Sequence, residues 1–174
     1  MELFITSLQE AKELLEQKPN FYRVVSISSP LDPVDDLENA KEVLYLYFDD
    51  IDKSRKKSAL IQLKTVSKED CQKAIEFLNS DGPLLIHCHH GKSRSTAIAL
   101  GFLLQKSNNY QQAIEELLRL KPWAAPNEYI VELMCSIFNR SNQYSQILSY
   151  FYQKRKEHLS KFYKRPHWKF GWIT

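Results

Sequence analysis

The sequence predicts a single α/β domain in which a central, mostly parallel sheet is flanked by helices. Three observations point there. Short β-branched or aromatic runs (Tyr22–Ile27, Val43–Phe48, Leu84–His87) alternate with longer stretches of helical periodicity. Leu84-Leu-Ile-His87 begins as an unbroken apolar run, the pattern of a strand covered on both faces, and that pattern belongs to parallel sheets with helices on either side. The chain has 174 residues, 43% of them hydrophobic, with 4 Gly and 7 Pro, and no internal repeat or low-complexity linker. That length supports one core without disulfide help.

Each element follows from local chemistry. Ser7-Leu-Gln-Glu10 has the spacing of a capping box and starts a helix to about Lys18. Tyr22-Arg-Val-Val-Ser-Ile27 is a strand, after which Pro30 and Pro33 enforce a loop. Val43–Phe48 is a second strand, stopped by Asp49, Asp50 and Asp52. Residues 53–65 are polar and lysine-rich at first, an exposed loop or short helix. Ser67-Lys-Glu-Asp70 is another capping box, and Ala74, Ile75 and Leu78 continue a helical stripe to Asn79. Asp81-Gly82-Pro83 turns into the strand Leu84–His87. Thr96–Leu104 is apolar all round and so a central helix. Asn108 and Asn109 cap a helix through Leu120, Pro126 opens one to about Phe138, and a last helix covers Asn142 to about His158.

Charge and cysteines narrow the setting. The net charge of +3 is uneven: Ser141–Thr174 holds seven Lys/Arg against the single Glu157, leaving 17 against 20 in the rest. This basic tail, rich in Tyr, Phe and Trp, could meet acidic lipid or another anionic surface, although such a stretch is more often a solvated helix face. Nothing points to specific nucleic-acid binding, and the sequence is silent on oligomeric state. Cys71, Cys88 and Cys135 are odd in number and widely spaced, unlike a disulfide framework. The reading is a cytoplasmic protein: reduced thiols, no signal peptide in the acidic N-terminal segment, and no apolar run of membrane-spanning length.

The chemistry is concentrated in Leu84-Leu-Ile-His-Cys-His-His-Gly-Lys-Ser-Arg-Ser-Thr96. A buried strand delivers Cys88 into a loop that ends at the start of an apolar helix, with five residues between Cys88 and Arg94. Backbone N–H groups at such a helix start converge on an oxyanion. The same positive end lowers a cysteine pKa, so that a thiolate exists near neutral pH. Arg94 adds a planar fork of donors matched to two phosphate oxygens. Gly91 removes the side chain where the loop must turn or let a ligand approach. Thiolate, anion cradle and arginine fork together describe nucleophilic attack on phosphorus.

His87-Cys88-x5-Arg94-Ser95 resembles the His-Cys-x5-Arg-Ser/Thr signature of protein tyrosine phosphatases. Lys121-Pro-Trp-Ala-Ala-Pro-Asn127, with Tyr129 and Leu133, is similar to the Arg-Pro-x-Ile-x-Pro-Asn segment of the dual-specificity type, in the expected place one helix later. The departures there are Lys121, Ala125 and Glu132. The likeness spans about residues 20–138 and implies a tyrosine-phosphatase-like fold and no cofactor or metal. By resemblance, Cys88 attacks phosphorus and forms a phosphocysteine. His89, His90, Gly91, Lys92, Ser93 and Arg94 bind the phosphate, and Ser95 donates a hydrogen bond to the sulfur. His87 orders the loop and tunes the thiolate, and Asn127 fixes a neighbouring loop. The family also needs an aspartate as general acid and base. Asp50 is in register with Leu46 and Phe48 for this role, followed by Asp52 and then Asp49, at a spacing to Cys88 somewhat longer than the family's usual one.

Other readings compete. Zinc at His87-Cys88-His89-His90 is disfavoured because consecutive residues rarely converge on one tetrahedral ion. Cys71, expected as a half-buried helix residue, could otherwise act as a resolving thiol for an oxidised Cys88. The expected activity is hydrolysis of phosphotyrosine in phosphorylated proteins, either alone or together with phosphoserine and phosphothreonine. The alternatives are a phosphoinositide phosphatase, motivated by Lys92 and the tail, and a non-catalytic phosphate-binding pseudophosphatase.

Overall fold

In the computed structural model, residues 2–51 and 63–163 are described, the side chains of 161–163 excepted. The chain runs β1 (Leu3–Ser7), α1 (Leu8–Gln17), β2 (Arg23–Ser28), β3 (Glu42–Tyr47), α2 (Lys68–Leu78), β4 (Leu84–Cys88), α3 (Arg94–Lys106), α4 (Tyr110–Leu120) and α5 (Glu128–Ile137). A 3-10 turn at Ser141–Gln143 leads into α6 (Tyr144–Tyr163). The four described strands form one sheet in the order β1-β4-β2-β3, and every pairing is parallel.

Two cores cover the two faces of this sheet. On one side Ala11 and Leu15 of α1 pack with Tyr22, Val24, Leu37 and Leu85. On the other, Leu3, Ile5, Val25, Ile27, Leu84 and Ile86 meet the apolar faces of α2 to α6. The alternation along β4 therefore sends Leu85 and His87 towards α1, and Leu84, Ile86 and Cys88 towards α3. Helix α3 has no polar face because it has no solvent face: every residue from Arg94 to Leu104 is buried. Helix starts follow the capping boxes, with Ser7 and Ser67 each accepting from the amide three residues on.

The expected fold class is observed, with three local differences. The sequence reading had no strand at the N-terminus, yet Leu3–Ser7 pairs with β4 along its whole length. A five-residue edge strand before a strong capping box is masked by the helix signal that follows. Cys71, expected half-buried, is completely enclosed. The last helix continues to Tyr163, past the expected end at His158, and hides Ile147 and Phe151 while leaving Tyr152 exposed. The expected loop or helix at 53–65 falls mostly outside the described residues, as do Asp52 and the tail beyond Tyr163.

Candidate active site

The site lies where β4 ends and α3 begins. Cys88 is the last residue of the strand and only 2% exposed; Arg94 is the first of the helix. The loop between them turns through Gly91, whose φ of +65° lies in the left-handed region. A Cβ there would stand within 2.5 Å of Thr6 O and Ser7 N and would also strike the Thr6 carbonyl carbon. Glycine is required because the loop packs directly on the backbone of β1. The Leu8 amide donates to the His89 carbonyl at 3.3 Å, fastening the loop to the start of α1 as well.

The other end of the loop is fixed by the segment before α5. The Ala125 amide donates to Lys92 O at 2.8 Å and the Asn127 amide to Ser93 O at 3.4 Å. Thr96 Oγ1 donates to Lys92 O at 2.5 Å and is 3.0 Å from Ser93 O. Lys121 pairs with Glu10 of α1 at 3.2 Å. The two motifs singled out in the sequence, 87–95 and 121–127, are thus physically joined.

The environment of Cys88 contains opposing effects. Burial pushes its thiol up, but the Ser95 hydroxyl and amide, the Arg94 charge and the Gly91 amide outweigh this, and the thiol ionises below its ordinary value. Ser95 Oγ lies 3.2 Å from Cys88 Sγ. The other two thiols go the opposite way, since burial pushes Cys71 up to about 12 and Cys135 to about 11. Of the three thiols, Cys88 is the one whose surroundings favour its ionised form.

Arg94 is buried, donates from Nη1 to the Phe48 carbonyl at 2.9 Å, and has no partner at Nε among the described residues. A buried guanidinium with a donor to spare is suited to an anion. His89, His90 and Lys92 stand exposed on the loop, with the two imidazoles edge to face at 4.5 Å. His87 is 1% exposed, on the α1 side of β4 by the strand's alternation. Burial pushes its imidazole down to about 4, with the Lys12 and Arg94 charges acting in the same direction, so it stays neutral near pH 7.

The three aspartates are separated by their contacts. Asp49 Oδ1 accepts from Ser29 Oγ at 2.5 Å and Oδ2 from the Lys64 amide at 2.8 Å, so it closes the loop after β3. Asp50 is exposed, and its Oδ1 accepts from Ser93 Oγ at 2.7 Å and Asn127 Nδ2 at 2.8 Å. Asp52 lies outside the described residues. Sequence reasoning missed the Phe48 carbonyl that anchors Arg94 and the backbone of Thr6 and Ser7 that cradles Gly91. The apolar run Leu3-Phe-Ile5 was the available signal for the latter. Among the described residues no group of three His, Cys, Asp or Glu side chains could hold a metal ion, and no helix is long and apolar enough to cross a membrane.

The architecture recurs in solved structures. The Yvh1 phosphatase domain from Chaetomium thermophilum is 20% identical, with a TM-score of 0.57 over 79% of this chain and 90% of its own. DUSP15 is 18% identical, with a TM-score of 0.59 over 84% and 90%. The PTP-2 phosphatase of Cydia pomonella is 22% identical, with a TM-score of 0.58 over 78% and 85%. The chain has the dual-specificity phosphatase fold. No family model and no curated protein matches the sequence.

Proposed function

We propose that this dual-specificity-type fold works as a phosphatase that hydrolyses phosphotyrosine, with phosphoserine and phosphothreonine, in proteins through a phosphocysteine intermediate. The observation that carries the reading is the place of Cys88, buried at the end of β4 with its Sγ 3.2 Å from Ser95 Oγ at the start of α3, in surroundings that favour its ionised form. Such a thiolate costs desolvation energy that a structural cysteine has no reason to bear. The roles follow. Cys88 attacks phosphorus, Arg94 and the loop amides hold the equatorial oxygens, and Ser95 stabilises the sulfur as it leaves. Asp50 protonates the departing oxygen and then takes a proton from the hydrolytic water. A purely phosphate-binding role would give no use to a carboxylate fastened to the loop through Ser93.

The test is hydrolysis of an aryl phosphate at mildly acidic pH with a chelator present. Wild-type activity is expected to survive the chelator, vanish in Cys88→Ser, and fall by about 10²–10⁴ in Asp50→Ala. Activity retained by Cys88→Ser overturns the thiolate mechanism. Phosphotyrosine, phosphoserine and phosphothreonine peptides and inositol phospholipids, compared in the same assay, assign the substrate class.

A further inference from the structure

We propose that Leu31 and Leu63 form an apolar shelf beside the Cys88–Arg94 loop that receives a large apolar residue of a phosphorylated peptide, and that the acidic segment after Leu31 selects basic residues further along that peptide. This rests on the phosphatase reading above and narrows its substrate class to phosphopeptides that are apolar next to the phosphoresidue and basic beyond it.

Strands β2, β3 and β4 are parallel, so the chain leaves all three at the same rim, where Cys88 also lies. Among the described residues five large hydrophobic side chains are exposed: Phe21, Leu31, Leu63, Trp123 and Tyr152. Scattered exposed apolar residues need no explanation. Three of these five are not scattered, because their segments are fastened to the site. The Leu31 amide donates to Ser29 Oγ at 3.1 Å, and Ser29 Oγ donates to Asp49 Oδ1 at 2.5 Å. The Lys64 amide, next to Leu63, donates to the other oxygen, Asp49 Oδ2, at 2.8 Å. One carboxylate therefore gathers the segments of Leu31 and Leu63, and the residue after it is Asp50, bonded to Ser93 of the loop. Trp123 lies two residues ahead of the Ala125 amide that holds Lys92 O. Leu31 is 69% exposed and Leu63 40%, which leaves carbon surface that a bound side chain would remove from water.

Charge decides what covers this surface. From Val24 to Ala40 the chain has no Lys or Arg, and Asp32, Asp35, Asp36 and Glu38 all stand exposed just beyond Leu31. The positive groups of the phosphate loop are thus bordered by an apolar shelf and then by negative charge. A peptide with its phosphate at Arg94 can lay an apolar side chain on the leucines and bring basic residues to the carboxylates. An anionic lipid surface would press further negative charge against the same carboxylates and be opposed.

The experiment uses phosphotyrosine peptides with Leu or Ala flanking the phosphoresidue and Arg or Glu beyond, with an aryl phosphate as the reference substrate for every variant. Wild type is expected to favour Leu over Ala by at least about fivefold in kcat/KM, chiefly through KM. It should also favour Arg over Glu at low salt, a preference that fades towards about 1 M salt. Leu31→Ser and Leu63→Ser should shrink the Leu preference relative to the aryl phosphate. Asp35→Asn combined with Asp36→Asn should shrink the Arg preference and leave the Leu preference standing. A wild type without the Leu preference, or a preference that both leucine variants keep, overturns the shelf. Faster hydrolysis of vesicles containing inositol phospholipids than of any peptide overturns the choice of occupant. A wild type that hydrolyses neither aryl phosphate nor peptide is a failure of the phosphatase reading instead. Fluorescence anisotropy of the same labelled peptides then decides the shelf by the Leu-to-Ala ratio of their binding.

Discussion

Replacing Ser95 by alanine deletes one hydroxyl from a wholly enclosed site. Ser95 is 0% exposed, and its Oγ is 3.2 Å from Cys88 Sγ. Burial alone would push this thiol up, and the Ser95 hydroxyl leads the groups that bring it down. A hydrogen bond to an ionised partner is worth about 1.5–3 kcal/mol. Its loss should therefore raise the Cys88 pKa. The Ser95 and Gly91 amides and the Arg94 charge remain, so the thiol does not take on the full effect of burial. A raised pKa means more thiol at any given pH, so the ionisation midpoint moves to higher pH. Ultraviolet absorbance of the thiolate, followed against pH, reads that midpoint directly. Cys71 and Cys135, pushed up to about 12 and about 11, stay silent in the range that matters. Alkylation by iodoacetamide gives an independent curve. A midpoint in Ser95→Ala that coincides with wild type would refute the assignment of the thiolate's stabilisation to this hydroxyl.

Two further outcomes concern stability. His87 is pushed down to about 4 from an ordinary 6.5, so the unfolded chain takes up a proton first as pH falls. Stability should therefore decline between about pH 6.5 and about pH 4, by about 3 kcal/mol in total from this residue. Urea denaturation of His87→Gln should show a correspondingly flatter pH dependence, and curves parallel to wild type would contradict a buried neutral imidazole. Gly91→Ala combines a left-handed backbone with a Cβ inside the β1 backbone contact. The expected loss is about 2–5 kcal/mol by urea denaturation, with weakened binding of inorganic phosphate. Stability within about 0.5 kcal/mol of wild type would mean that the loop separates freely from β1.

The sequence alone determined the elements whose causes are local. Ser7 and Ser67 announce their helices because a capping box closes within four residues. Cys88, Gly91, Arg94 and Ser95 were legible as one loop because the chemistry is written in consecutive residues between a strand and a helix. What required the tertiary structure were contacts between segments remote along the chain. Leu3–Ser7 is a strand because β4 offers it a full ladder, which no local propensity reveals. Register alone ranks Asp50 ahead of Asp52 and Asp49 in the sequence, but their contacts come from afar: Ser29 and Lys64 claim Asp49, whereas Ser93 and Asn127, 43 and 77 residues further along, reach Asp50. Gly91 could be read as a turn, but the backbone it must avoid belongs to Thr6 and Ser7. A hydrogen bond or a steric limit between distant segments exists only once the sheet has set their separation, and so it has no sequence period to betray it.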